Sequence, residues 1–375
     1  MPLFDVYPLY DVEPTKARGV YVYDKKGKKY LDLYGGHAVI SIGHGHLTYT
    51  RMLRKQLHRI GFYSNAVQNP LQEKLSTEIN RQSGCTNYEL FMCSSGAEAN
   101  ENALKLASFH TSKSRVIAFD NAFHGRTSAA VAATDNKNIQ APLNTQQQVD
   151  FIPFNDVDAL EKELTKGDVC AVIFEAIQGV GGLDEPTAAF VAQMETLCET
   201  HQTCLIADEV QSGFGRSGDF FAFQKYNINP HIISIAKGMG NGFPVGGILV
   251  HPVIKAKYGL LGTTFGGNHL ACSASLAVLQ VLEKEKLCDH ANAMGEYFVQ
   301  RAKELPFVKT IKGRGLMLGL EFEYEVGALR KELIFKHRIF TGGSSNKNLI
   351  RILPPLTVQQ KHLDQLFKAL NACHQ

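Results

Sequence analysis

Residues 205–237 read LIADEVQSGFGRSGDFFAFQKYNINPHIISIAK. Two short apolar, β-branched blocks, Leu205–Ala207 and Ile232–Ile235, are each followed by polar or glycine-rich sequence, the pattern of buried strands that stop abruptly. The first strand carries a carboxylate, Asp208, to its end, and the second carries an amine, Lys237. Ligands of open parallel sheets bind beyond such strand ends. Lys237 lies in AKGMGNGFPVGG, a loop with so little side-chain bulk that a large planar group can approach the backbone. An acid and an amine at two strand ends form the electrostatic arrangement of a pyridoxal phosphate site. Taken singly, each residue reads as ordinary: a surface lysine in a flexible turn, and an aspartate capping a strand.

The rest of the chain sets bounds on what such a site can serve. With 375 residues and 44% hydrophobic content it can bury a large core, and its length suggests two or three domains. The 39 basic and 36 acidic residues are scattered without long runs, so no electrostatic footprint for nucleic acid or an anionic membrane is visible, while a small anionic substrate fits. The cysteines at 85, 93, 170, 198, 204, 272, 288 and 373 form no C-x-x-C pair, and several fall in apolar runs. Reduced thiols in a cytoplasmic compartment follow as the simplest expectation. The start, MPLFDVYPLYDVEP, lacks a basic segment followed by a long apolar stretch, and no later run reaches membrane-spanning length, so neither secretion nor membrane insertion is expected.

Residues 19–33, GVYVYDKKGKKYLDL, alternate around KKGKK and predict a β-hairpin. From residue 46 to 257, candidate strands Leu90–Cys93, Arg115–Phe119, Val169–Phe174, Cys204–Ala207, Ile232–Ile235 and Gly247–Val250 alternate with helical stretches such as Ala99–Ser108 and Ala188–His201. That alternation predicts an α/β fold with a largely parallel sheet covered on both faces. A helical pattern from Leu270 to Glu285 then leads into a mixed tail containing GLMLGLEFE and LDQLFKALNAC. The reading divides the chain into a large domain at 46–257 and a smaller α+β domain drawn from both ends, 1–45 and 258–375.

Several motifs carry chemistry. Ser95, Gly96 and Ala97 follow a strand and open an Ala/Leu/Glu/Lys-rich helix, whose free N–H groups attract an anion such as a phosphate; a plain helix cap is the bland alternative. Phe123-His124-Gly125-Arg126 combines an aromatic that can cover a flat ring with a guanidinium that can grip a carboxylate through two parallel hydrogen bonds. Arg351 interrupts the apolar run NLIRILPPL and is expected to face a cleft or a partner, or else to hold the small domain together through a salt bridge. The GHGH at Gly43–His46 lacks the further ligands a metal site needs and reads as a tight turn, so no metal is expected. Neither G-x-S-x-G nor G-x-x-x-x-G-K-[ST] occurs, which argues against hydrolase and nucleotidase readings.

With SSGAEANENALKLA, FHGRT, IQGVGG, DEVQSGFGRSG, AKGMGNGFPVGG, TTFGGNHLA and LIRILPPL in this order, the chain resembles the class III aminotransferases of pyridoxal phosphate fold type I nearly end to end. Within that group it looks most like the acylornithine aminotransferases of arginine biosynthesis, with the ornithine δ-aminotransferases close by. The resemblance implies a mostly parallel seven-stranded sheet in the large domain and a homodimer that shares its active sites across the interface. It implies that Lys237 holds the cofactor as a Schiff base, Asp208 pairs with the pyridine nitrogen and Gln211 reaches the ring hydroxyl. Phe123 and Val210 would sandwich the ring. Ser95, Gly96 and Ala97 would hold the phosphate, and Thr264 would reach the phosphate of the neighbouring subunit.

For substrates, the resemblance implies that Arg126 holds the distal carboxylate of both glutamate and an acylornithine, with Tyr7 as a helper. Arg351 would bind the second carboxylate, which only glutamate and 2-oxoglutarate carry beside the reacting carbon. Transfer of the δ-amino group of N2-acetylornithine or N2-succinylornithine to 2-oxoglutarate is the leading expectation. Transfer from free ornithine or another ω-amino acid, glutamate-semialdehyde isomerisation and a noncatalytic protein on this fold follow in that order. Two departures stand out. Val180 occupies the place where relatives carry the glutamate of IQGEGG, which masks the second arginine; altered substrate discrimination is therefore expected. His231 replaces a common aspartate and is expected to be structural.

Overall fold

The computed structural model describes residues 3–374. Seven strands form the central sheet: β4 (Glu89–Cys93), β5 (Arg115–Phe119), β6 (Val149–Ile152), β7 (Val169–Phe174), β8 (Cys204–Asp208), β9 (Ile232–Ile235) and β10 (Gly246–Val250). Their spatial order is β4-β10-β9-β8-β7-β5-β6, and β10 alone runs against its neighbours. The six strands expected from the sequence are present. The seventh, β6, is a four-residue edge strand whose first three residues are only half-buried, so it lacks the apolar block that marks the others.

The sheet is buried on both faces because alternate side chains of each strand point opposite ways. Val116, Ala118, Ala171, Ile173 and Ile206 pack with Ala99, Ala103 and Ala107 of the helix Gly96–Thr111. Ile117, Phe119, Val172, Phe174 and Leu205 pack with Phe190, Val191 and Met194 of the helix Ala188–Thr200. Small alanines on the first helix let it lie close to the sheet, which brings the helix N-terminus up to the strand ends.

The chain ends build two smaller sheets. β1 (Pro14–Arg18), β2 (Tyr21–Asp24) and β3 (Lys29–Asp32) form the expected hairpin and its neighbour, and β13 (Ile339–Phe340) joins β3 in parallel. β11 (Thr310–Arg314), β12 (Met317–Glu321) and β14 (Leu349–Ile352) form an antiparallel sheet that carries Arg351. The helix His269–Lys284 packs on the helices Leu47–Leu57 and Pro70–Ser83. The GHGH segment is a tight turn with Gly43 and Gly45 at positive φ. Its histidines bind separate acids, His44 Nε2 to Asp32 Oδ2 at 2.8 Å and His46 Nε2 to Glu285 Oε1 at 3.0 Å.

Candidate active site

The parallel strands β4, β5, β7, β8 and β9 all end on one edge of the sheet, and a cleft of about 340 Å³ opens there. Ser94–Ala97, Phe123–Arg126, Glu175, Val180, Asp208, Val210, Gln211 and Lys237 line it, each within a few residues of a strand end. Residues spread over nearly 150 positions thus meet because their strands are adjacent.

Asp208 is 4% exposed and holds three donors. The Val210 N–H donates to Oδ1 at 3.0 Å, while Asn100 Nδ2 and His124 Nδ1 both reach Oδ2 at 2.7 Å. Asn100 also donates to the His124 carbonyl at 2.7 Å, so helix, loop and strand lock each other.

Lys237 begins a short 3₁₀ turn at φ +48, a left-handed conformation that an L-residue adopts at a cost of about 1–3 kcal/mol. The surroundings enforce it. Asn241 Oδ1 accepts from the Ser41 and Ile42 N–H groups at 2.9 and 3.0 Å, and Ser41 Oγ donates to the Gly238 carbonyl at 2.6 Å. Burial lowers the Lys237 amine below its ordinary range; the Asp208 and Glu175 carboxylates oppose this shift, and Arg351 reinforces it.

Ser95 caps the helix Gly96–Thr111 by accepting from the Glu98 N–H at 3.2 Å, and its first-turn N–H groups face the cleft region with the positive helix end. Gly96 is required there: a Cβ would sit 2.5 Å from Val210 Cγ1. The Phe123 ring and Val210 line the same cleft.

Glu175 directly follows β7, while Asp208 is the last residue of β8. Its Oε1 accepts from the Phe123 N–H at 3.0 Å and its Oε2 from the Gly179 N–H at 2.8 Å. Burial and the neighbouring Asp208 charge push its carboxyl upward, against His124. The Gly179 carbonyl in turn accepts from Arg351 Nη1. Arg351 is 3% exposed, and its other acceptors are the Gly343 carbonyl at 2.5 Å and Gln211 Oε1 at 3.2 Å. All are neutral oxygens, and among the described residues no carboxylate lies within ion-pair distance. A salt bridge holding the small domain together is therefore not what Arg351 makes. A Cβ at Gly179 would meet Gln211 Oε1 at 2.2 Å, so a larger residue there would push the Gln211 side chain off its contact with Arg351.

Arg126 is exposed at the cleft, with no hydrogen-bond or ion-pair partner among the described residues. Two expected site residues lie elsewhere. Tyr7 is 73% exposed in a segment without regular structure, and Thr264 is exposed in the loop before the helix His269–Lys284; neither lines the cleft of its own chain. His231 sits at the far end of β8, where its Nδ1 accepts from the Leu205 N–H at 3.1 Å. Sequence reasoning passed over Asn100, His124 as a partner of Asp208, Glu175 and Asn241. Glu175 carried the same signal as Asp208, an acid immediately after an all-apolar strand.

The residues present fit pyridoxal phosphate: an amine that could take its aldehyde, a buried carboxyl for its ring nitrogen, a helix N-terminus opened by Gly96 for its phosphate, and Phe123 and Val210 lining the same cleft. Sheet, cleft and donor set together define a pyridoxal phosphate enzyme of fold type I. The chain belongs to the class-III aminotransferases, whose family description, Aminotransferase class-III, matches residues 6–373. It is 38% identical over 374 residues to the acetylornithine aminotransferase of Bacillus subtilis, covering 98% of this chain and 96% of that one. It is 37% identical over 381 residues to that of Aquifex aeolicus, covering 98% of both chains. Among solved structures, the ornithine aminotransferase of Toxoplasma gondii superposes with a TM-score of 0.92 at 26% identity, covering 99% of this chain and 93% of that one. The chain is thus a pyridoxal phosphate-dependent transaminase.

Proposed function

We propose that this transaminase moves the δ-amino group of an N2-acylornithine to 2-oxoglutarate. The observation that carries the reading is the pair of guanidinium groups without acidic partners among the described residues, Arg126 at the cleft and Arg351 buried behind Gln211. A buried cation lacking a carboxylate is costly and favours a ligand that brings one. Glutamate and 2-oxoglutarate bring two carboxylates, one for each arginine. An acylornithine brings one, for Arg126, with Tyr7 as a helper. The relatives named acetylornithine aminotransferase support the donor.

In this reading Lys237 Nζ anchors the cofactor, Asp208 faces its ring nitrogen and Gln211 its ring hydroxyl. Phe123 and Val210 cover its two faces, and Ser95, Gly96 and Ala97 hold its phosphate. Bound pyridoxal phosphate supplies a ring that accepts the electron pair left when the substrate carbon loses its proton. The Asp208 carboxyl, fixed in place by the Val210 N–H, Asn100 and His124, would face the ring nitrogen and hold a proton there. Lys237 Nζ, once released as a neutral amine, takes the proton from the amine-bearing carbon and returns it on the product side. Its lowered proton affinity suits that task. Glu175 fixes the Phe123 and Gly179 backbones and so sets the slot and the Arg351 pocket.

The same reading makes the molecule a homodimer in which Thr264 serves the partner's phosphate site. Its exposed position outside its own cleft, beside the exposed and mutually packed Phe62 and Phe265, supports this. We take residues 46–257 as the large domain and 1–45 with 258–375 as the smaller one. A cytoplasmic location is part of the proposal, supported by the unpaired cysteines; among the described residues no helix is long and apolar enough to cross a membrane. Transfer from free ornithine is the competing reading, favoured by the similarity to solved ornithine aminotransferases. Turnover of N2-acetylornithine, N2-succinylornithine and ornithine with 2-oxoglutarate, measured side by side, tests the proposal. Preference for free ornithine would replace it.

A further inference from the structure

Remote from the cleft residues in sequence, the end of the C-terminal helix meets the end of the helix Gly327–Phe335. Glu332, His337 and Cys373 each offer one ligand atom there, and the three atoms lie within 4.8 Å of one another. Two helix ends create this convergence. Past Phe335 the first helix widens into a π-type turn and ends, with the Glu332 carbonyl accepting from both the Lys336 and His337 N–H groups at 2.9 and 3.3 Å, which keeps His337 beside Glu332. Cys373 is the last residue of the helix Gln360–Cys373.

All three side chains are half-buried, and His337 Nε2 is shut off from solvent with no hydrogen-bond partner among the described residues. Of the other histidines, His44 binds Asp32, His46 binds Glu285 and His290 binds the Val358 carbonyl, while His124 Nε2 and His269 Nδ1 are likewise buried without a partner among the described residues. A buried polar atom left unpaired calls for an explanation, such as an ion. The Cys373 thiol is pushed up to about 11 by burial and by Glu332, so it is no redox-poised thiolate.

We propose that Glu332, His337 and Cys373 bind a divalent transition-metal ion of the zinc class through a carboxylate oxygen, an imidazole nitrogen and a thiolate sulfur. A mixed S, N and O set selects such an ion over magnesium or calcium, and water completes a tetrahedron. Binding releases the Cys373 thiol proton to solvent and replaces it with a sulfur–metal bond. It also displaces Lys336, whose Nζ lies 2.9 Å from Glu332 Oε1 but whose side chain is exposed and free to turn away. None of the three residues lines the cleft, so the ion acts as a clamp. It ties the C-terminal helix to the helix that runs into β13, the strand by which the C-terminal part of the chain joins β3.

The test uses the holoenzyme, freed of loosely held metal and titrated with zinc chloride alone. Bound zinc is counted by elemental analysis, and its neighbours are read from zinc X-ray absorption. The expected result is one zinc per chain with one sulfur at about 2.3 Å and nitrogen or oxygen at about 2.0–2.2 Å. Cys373→Ala and His337→Ala should each weaken binding at least about ten-fold, since even loss of a supporting outer partner costs that much. Zinc should raise the melting temperature of the parent but not of these variants, with transaminase turnover unchanged in all of them without zinc. Zinc held equally by parent and both variants overturns the proposal, as does no binding. Should a variant fail to fold, the parent spectrum decides alone: a shell without sulfur overturns the site.

Discussion

Val180→Glu should separate the two halves of the catalytic cycle. Among the described residues the Arg351 side chain is held only by the Gly179 and Gly343 carbonyls and Gln211 Oε1, and residue 180 lines the cleft one position beyond one of those acceptors. A carboxylate introduced there can approach the guanidinium. At a separation near 4 Å and an effective dielectric constant near 20, the attraction is about 4 kcal/mol. Desolvating the new carboxylate takes back part of that, leaving on the order of 1–3 kcal/mol. Glutamate must displace this contact to place its α-carboxylate on Arg351, so its kcat/KM should fall by roughly 5- to 150-fold. An acylornithine brings no carboxylate to Arg351 and no longer leaves that cation unpaired, so its kcat/KM should hold or rise. Stopped-flow absorbance of the two half-reactions, each run alone with parent and variant, measures both quantities. Equal changes for the two amino donors, or none, would refute the assignment of Arg351 and the place given to residue 180.

Gly96→Ala puts a Cβ 2.5 Å from Val210 Cγ1 and should weaken cofactor binding by the roughly 1–3 kcal/mol typical of overpacking. Adding Val210→Ala should recover most of that loss in an equilibrium cofactor titration, and a double variant no better than the single one contradicts the steric account. His362 is held neutral, its imidazole pushed down to about 4 first by burial and then by the charges of Lys361 and Lys29, while its Nδ1 accepts from the Gln359 N–H at 3.0 Å. The folded value lies below the unfolded one, so its contribution is present above about pH 6.5 and is lost as pH falls toward about 4. Urea midpoints should therefore fall more steeply over that window for the parent than for His362→Gln; a constant difference between them would count against it.

Much of the fold was legible locally because buried parallel strands leave unbroken apolar blocks, and six of the seven central strands announce themselves that way. β6 does not, because Asp150 interrupts its four residues, VDFI, and turns to the Arg115 guanidinium instead of the core. Asp208 and Lys237 were legible for a related reason: a charged residue directly after such a block must sit at the sheet's carboxyl edge. Glu175 met the same condition after β7 and was overlooked because no amine accompanied it nearby in sequence.

What the sequence by itself determined is the alternation of strands and helices, the acid and amine at two strand ends, and the low-bulk glycine-rich loop that carries the amine. These are properties of short segments, set by side-chain bulk, branching and period. Only the tertiary structure decided that Asn100, His124 and the Val210 N–H converge on one carboxyl group, that Asn241 pins residues 41 and 42 to the lysine turn, and that among the described residues the Arg351 side chain has only neutral acceptors. It also decided that Tyr7 and Thr264 lie outside the cleft of their own chain. Contacts spanning 84 to 200 positions leave no periodic trace in the sequence, because strand order, rather than local pattern, chooses which loops become neighbours.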